Sequence, residues 1–320
     1  MARIAKGPRV LLGEVDLPEG VLVILDPGMA RFWRHDGAPA SPRKKDPAQW
    51  DLRLVGRDAL EAGRAYDREF DPRFLFDVSE PGSPQFDAFA RERGLDARAE
   101  VVTPRIPHTE RVRLALEHGA GLGVVPYNRL WAVAVGGLPT ERALPVWGLP
   151  MPPGEFEGRW RSIDLVVDEK GEPVRSESVT GVMVDHGQLL FAGLGPLGLF
   201  RMWEPEDGLA DYVFWGKDAP GLAEALGASV LGEGLFGWRD VPMESVGEKA
   251  TPVQERIAQE RLAVSVDYRP HCNLEKLNAL LRESPEDAAS LRLGSARVVG
   301  CGNRWGDGVF TVSRHFDARG

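Results

Sequence analysis

The chain has little of what would reveal its chemistry by inspection. Its 320 residues include two cysteines, Cys272 and Cys301, too few for the disulfide framework of a small secreted domain. Long apolar runs are missing as well. After a short basic start, Val10, Leu11 and Leu12 give way at once to Gly13, Glu14 and Asp16. Neither a secretory leader nor a membrane span is expected, and the expected compartment is the reducing cytoplasm. Positive charge is in deficit, with a formal net charge of −9. Such a balance gives no general attraction to phosphate backbones and argues against broad nucleic-acid binding. The one local basic run, Arg43-Lys44-Lys45, is followed by Asp46 and reads as a solvated loop. No glycine-rich phosphate loop of either common type occurs, so no cofactor is expected.

Glycine (37) and proline (25) are plentiful instead, which implies many turns and short elements. Apolar runs or alternation predict strands over residues 21–25, 110–116, 130–135, 162–167, 209–214, 262–266, 296–300 and 309–312. The segments 110–116 and 130–135 are expected to pair with each other. Phe86, Phe89 and Ala90 are spaced for a short helix ending at Gly94. Leu274, Leu277, Leu280 and Leu281 form the best helical stripe, with Asn273 placed to cap it. Strands do not alternate with long helices. The expected fold is therefore mainly β (α+β), with short, mostly antiparallel strands in sheet or sandwich layers and a few peripheral short helices. Four prolines within residues 145–154 suggest a stiff linker between β-rich domains at 1–145 and 155–320, a single domain being the alternative.

Three places could carry chemistry. Asp185-His186 interrupts an apolar run, where each polar group needs a partner if buried. His271 and Cys272 precede the leucine-striped helix, whose N-terminal N–H groups would lower a thiol pKa. The preferred reading of Cys272 is nevertheless a small buried hydrophobe. Asp307, between two glycines in Trp305-Gly306-Asp307-Gly308, could bond exposed backbone donors, with Trp305 covering a sheet end. Asp26, Asp164, Asp168 and Asp267 read as strand-end acids unless they converge. A zinc site would need Cys272, Cys301 and two of His186, His271 and His315, and their spacing fits no compact pattern, so no metal is expected. Nine tryptophans are many for this length. Trp203, Trp215, Trp238 and Trp305 lie in loops or at strand ends and are candidates for contact with a partner.

The pieces Val266-Asp267-Tyr268-Arg269-Pro270-His271, Gly294-Ser295-Ala296-Arg297, Trp305-Gly306-Asp307-Gly308-Val309-Phe310-Thr311-Val312 and Asp317-Ala318-Arg319-Gly320 resemble a bacterial family of uncharacterised proteins, the domain of unknown function 4241 type. Leu25-Asp26-Pro27 after Gly20 is similar to its N-terminal pattern. The resemblance implies a β-rich fold with a structural turn and carries no established reaction. No residue set completes a catalytic signature. The leading reading is a binding module that contacts another protein through aromatic loops. Alternatives are a hydrolase using an Asp/His or Cys/His cluster, with or without a metal, and a small-ligand-binding or structural role.

Overall fold

The structure, a computed structural model, describes residues 8–39, 49–69, 75–78, 83–118, 122–127 and 130–319. The basic run at 43–45 lies outside the described residues, as does the side chain of Trp131. The strands are β1 (Val10–Val15), β2 (Leu22–Leu25), β3 (Asp51–Val55), β4 (Arg98–Val102), β5 (Leu122–Tyr127), β6 (Leu130–Val135), β7 (Leu144–Pro150), β8 (Trp160–Leu165), β9 (Arg175–Val184), β10 (Gln188–Gly193), β11 (Leu209–Gly216), β12 (Ser229–Gly232), β13 (Leu235–Pro242), β14 (Val264–Pro270), β15 (Ala288–Leu293), β16 (Ala296–Gly302) and β17 (Gly308–Phe316). The helices are α1 (Ala59–Glu69), α2 (Pro84–Glu92), α3 (His108–His118), α4 (Leu194–Leu197), α5 (Ala219–Leu226), α6 (Val246–Glu260) and α7 (Asn273–Glu283). Strand content (36%) exceeds helix content (28%), and the strand pairs are antiparallel, so the fold is mainly β as the apolar runs imply. Three of the helices, α1, α3 and the 15-residue α6, escape the sequence patterns.

Two compact units divide the chain, Met1–Phe200 with Leu280–Gly320 and Arg201–Ala279. The first contains the sheets β1-β7-β8 and β15-β16-β10-β2-β6-β5 and the ribbons β17-β9 and β3-β4. Strand β2 runs between β10 and β6, and all four of its side chains are buried, as a continuous apolar run requires. Leu12, Val15, Leu144, Val146, Trp160, Val182, Phe191 and Val299 meet in one core, so side chains from both larger sheets and the β9 ribbon close on each other. The second unit is the sheet β12-β13-β11-β14 with α5 and α6 on one face. Tyr212, Phe214, Leu222 and Val253 form its core, and Phe236, Trp238 and Ile257 pack against them.

Three expectations are corrected. Residues 110–116 belong to helix α3, whose buried positions 108, 109, 111, 112, 115 and 118 follow the helical period. Arg, Leu, Ala and Glu there all favour helix, and the buried charge of Arg111 hid the stripe. Strand β6 accordingly pairs with β2 and β5. The proline-rich segment is strand β7, hydrogen-bonded on both sides to β1 and β8, and is no linker. Its Pro145 and Pro150 fall near the strand ends, Pro152 and Pro153 beyond them, where a missing donor costs little. Asn273 caps no helix with its side chain; its Oδ1 accepts from the Arg201 N–H at 2.6 Å and its amide donates to Glu206 at 2.9 Å.

Arg111 is fully buried in a charge cluster. Its Nη2 donates to both oxygens of Asp51 at 2.9 and 2.8 Å, and its Nη1 donates to Asp77 at 3.0 Å. Asp51 also accepts from the backbone N–H of Ile106 at 2.7 Å and of Asp77 at 3.1 Å. Arg105 completes the group through Asp77. This network ties β3 to the 75–78 segment and to α3.

Candidate functional site

His271 is the sequence-predicted residue around which a polar site assembles. Strand β14 ends at Pro270, and the His271 N–H continues the ladder by donating to the Leu209 carbonyl at 3.0 Å. This places the imidazole at the end of β11. Its Nδ1 lies 2.8 Å from Asp207 Oδ2, and its Nε2 lies 3.2 Å from Asp211 Oδ1 and 3.9 Å from Asp240 Oδ1.

A fault in strand pairing brings the third carboxylate in. Strands β11 and β13 pair at Ala210–Val241 and again at Tyr212–Trp238, leaving Arg239 and Asp240 opposite Asp211. Such a bulge re-aims side chains. Asp240 takes a left-handed backbone conformation (φ 54°), and its N–H donates to Asp211 Oδ1 at 3.0 Å. Asp207 is oriented from behind, its Oδ1 accepting from the Leu209 N–H at 2.9 Å.

Burial opposes charge on His271, but hydrogen bonds to Asp207 and then Asp211 outweigh it, and its pKa is raised. The same His271 contact, helped by the Leu209 N–H, holds the Asp207 carboxyl below its usual range. Among the described residues, Asp211, Asp240 and His271 form the group of histidine, cysteine or acidic side chains compact enough to share an ion. One ligand atom from each lies within 4.8 Å of the others. The imidazole is 22% exposed and the Asp240 side chain 71%, so the group opens to solvent.

Cys272, next in sequence, takes no part in it. The thiol is buried, donates to the Met202 carbonyl at 3.0 Å and has its pKa raised by burial. The N–H groups of Leu274 and Glu275 act on it in the lowering direction, as expected at a helix start, but burial prevails. Cys301 is buried too, with its pKa pushed up to about 12.

Asp185, His186 and Asp307 belong to the first unit. Asp185 and His186 make an exposed turn between β9 and β10. The carboxylate that serves this turn is Asp26, fully buried. Its Oδ2 accepts from the N–H groups of Asp185 and His186 at 2.6 and 2.8 Å, and its Oδ1 from Gly28 at 2.7 Å. The His186 ring lies against Gly28, where a Cβ would come within 2.3 Å of it.

Asp307 is exposed, and Asn303 does the bonding expected of it. Asn303 Oδ1 accepts from Trp305 and Gly306 at 2.7 and 2.9 Å, and its amide donates to the Gly306 carbonyl at 2.8 Å. Trp305 donates to the Trp160 carbonyl at 2.7 Å, lies under the Arg159 guanidinium and meets the Phe156 ring at a tilt of 42°. Trp203 is 55% exposed and Trp215 39%. Trp238 is instead half-buried in the second unit's core, under Lys249.

Sequence reasoning passed over Asp207, Asp211, Asp240 and Asn303 as site residues. An Asn two and three residues before the donors it serves is an Asx-turn signal, but the bulge at Arg239 and Asp240 leaves no mark in the apolar pattern. No family model matches the chain, and neither a curated protein nor a solved structure matches it.

Proposed function

We propose that this chain is a divalent-cation-binding protein whose site is formed by Asp211, Asp240 and His271. The observation that carries the reading is the approach of one imidazole nitrogen and two carboxylates to within 4.8 Å of one another. Carboxylates alone would suit calcium or magnesium; an added imidazole shifts the preference toward first-row ions such as manganese or zinc. Three protein donors on an open face leave positions for water or a small anionic ligand, the pattern of sites that do more than brace a fold. Bound there, an ion would supply Lewis acidity. The expected test is calorimetric titration of the full chain with MnCl2, giving one ion per chain. His271→Ala and Asp211→Asn should each weaken binding by more than the roughly 10–100-fold that loss of an outer-shell partner costs. Unchanged affinity in both variants refutes the site.

A second reading, contact with another protein, is supported by the Phe156–Arg159–Trp305 cluster. It presents a rigidly held tryptophan (38% exposed) beside an arginine, the residue types that dominate contact energetics. A partner that binds the wild-type chain and is lost on Trp305→Ala, with the circular dichroism unchanged, would establish it.

A further inference from the structure

The segment 201–208 is hydrogen-bonded repeatedly to the short stretch His271–Lys276, and its Gly208 carbonyl accepts from the Met243 N–H at 3.0 Å. The Arg201 carbonyl accepts from the Leu274 N–H at 3.3 Å, and the Arg201 N–H donates to Asn273 at 2.6 Å. Met202 accepts from the Cys272 thiol at 3.0 Å. The Glu206 N–H donates to the His271 carbonyl at 3.1 Å, while the Glu206 carboxylate takes Asn273 and Lys276. Asp207 then meets the His271 imidazole at 2.8 Å. Between these anchors Trp203 and Glu204 extend to solvent, 55% and 85% exposed.

The one side chain common to this segment and the cation site is the His271 imidazole, with Asp207 on Nδ1 and the two proposed ligands on Nε2. The paired nitrogens of one ring are the usual means by which an outer carboxylate and a metal sense each other. An ion on Nε2 would fix the ring plane and with it the direction in which Nδ1 meets Asp207. Asp207 cannot swing to follow, because its other oxygen is held by the Leu209 N–H. The gain in order therefore passes into the backbone around it.

We propose that cation occupancy at Asp211, Asp240 and His271 orders segment 201–208 through Asp207, setting the presentation of Trp203. The inference rests on the cation-binding reading. In it Asp207 is a positioning residue and no ligand.

The test is hydrogen exchange on the full chain with and without saturating MnCl2, beside calorimetry on the same samples. Wild type should bind Mn2+ and show exchange in 201–208 slowed at least about tenfold, with peptides from β16 and α2 unchanged. Asp207→Asn should still bind, roughly 10–100-fold more weakly, and at saturation show no slowing in 201–208. Asp211→Asn should lose both effects. Mn2+ binding without slowing in the wild type overturns the coupling and leaves the cation reading standing. Equal slowing in Asp207→Asn, or slowing spread over the whole chain, also overturns it. Absence of Mn2+ binding in the wild type overturns the cation reading and the coupling together.

Discussion

Asp51 in the first unit and Asp211 in the second are both strand aspartates next to a basic side chain, yet their environments are opposite. Asp51 has no exposed surface, and its two oxygens are taken by Arg111 and by the N–H groups of Asp77 and Ile106. Asp211 keeps 26% of its side chain exposed and shares His271 with Asp207 and Asp240. A buried carboxylate with every lone pair engaged can only hold structure. A half-exposed one grouped with like charges around an imidazole is poorly used as structure and well placed for a cation. Asp26 follows the Asp51 pattern: it is fully buried and accepts from three backbone N–H groups.

The largest expected effect sets these two residues against each other. Asp51→Ala leaves the buried Arg111 short of a partner and should cost roughly 3–5 kcal/mol in urea unfolding. Asp211→Ala should cost no more than about 1 kcal/mol, as for exposed ion pairs. Similar losses in the two variants would erase the distinction between structural and available carboxylates.

A second contrast concerns histidines. His108 is buried, accepts the Arg34 N–H on Nδ1 at 3.0 Å and stacks on Trp33. Burial first, then Arg111 and Arg105, push its pKa well below 6.5. The unfolded chain therefore takes up a proton that the folded chain refuses. Stability from this residue is complete above about pH 6.5 and falls as pH drops below it, by up to about 1.4 kcal/mol per pH unit. Unfolding measured at a series of pH values should show this slope, and His108→Gln, which retains an acceptor, should flatten it. A slope unchanged in the variant assigns the acid sensitivity elsewhere.

The smallest effect is a null result. Both thiols are buried with raised pKa values, so native protein should give no fast reaction with a disulfide reagent, and denatured protein should give two equivalents. Fast native labelling of Cys272 would restore it as a nucleophile.

Much of the fold was legible in the sequence. The runs at 21–25, 130–135 and 209–214 lie in strands β2, β6 and β11, and the leucine stripe after Asn273 lies on α7. Legibility failed where one interaction outweighed a local pattern. The charge of Arg111, neutralised from distant Asp51 and Asp77, disguised a helix as an alternating strand. Prolines near the ends of β7 imitated a linker. At the candidate site only His271 was singled out. Asp207 and Asp211 precede or begin an ordinary strand, and Asp240 reaches them through a pairing fault that depends on three-dimensional register.

The hydrogen bond between Leu274 and Arg201 has an architectural consequence. The polypeptide enters the unit at Arg201 and, after four strands and two helices, comes back at Leu274, five residues before Ala279, to hydrogen-bond its point of entry. A stretch that closes on its own first residue is built like a cassette carried in a longer chain.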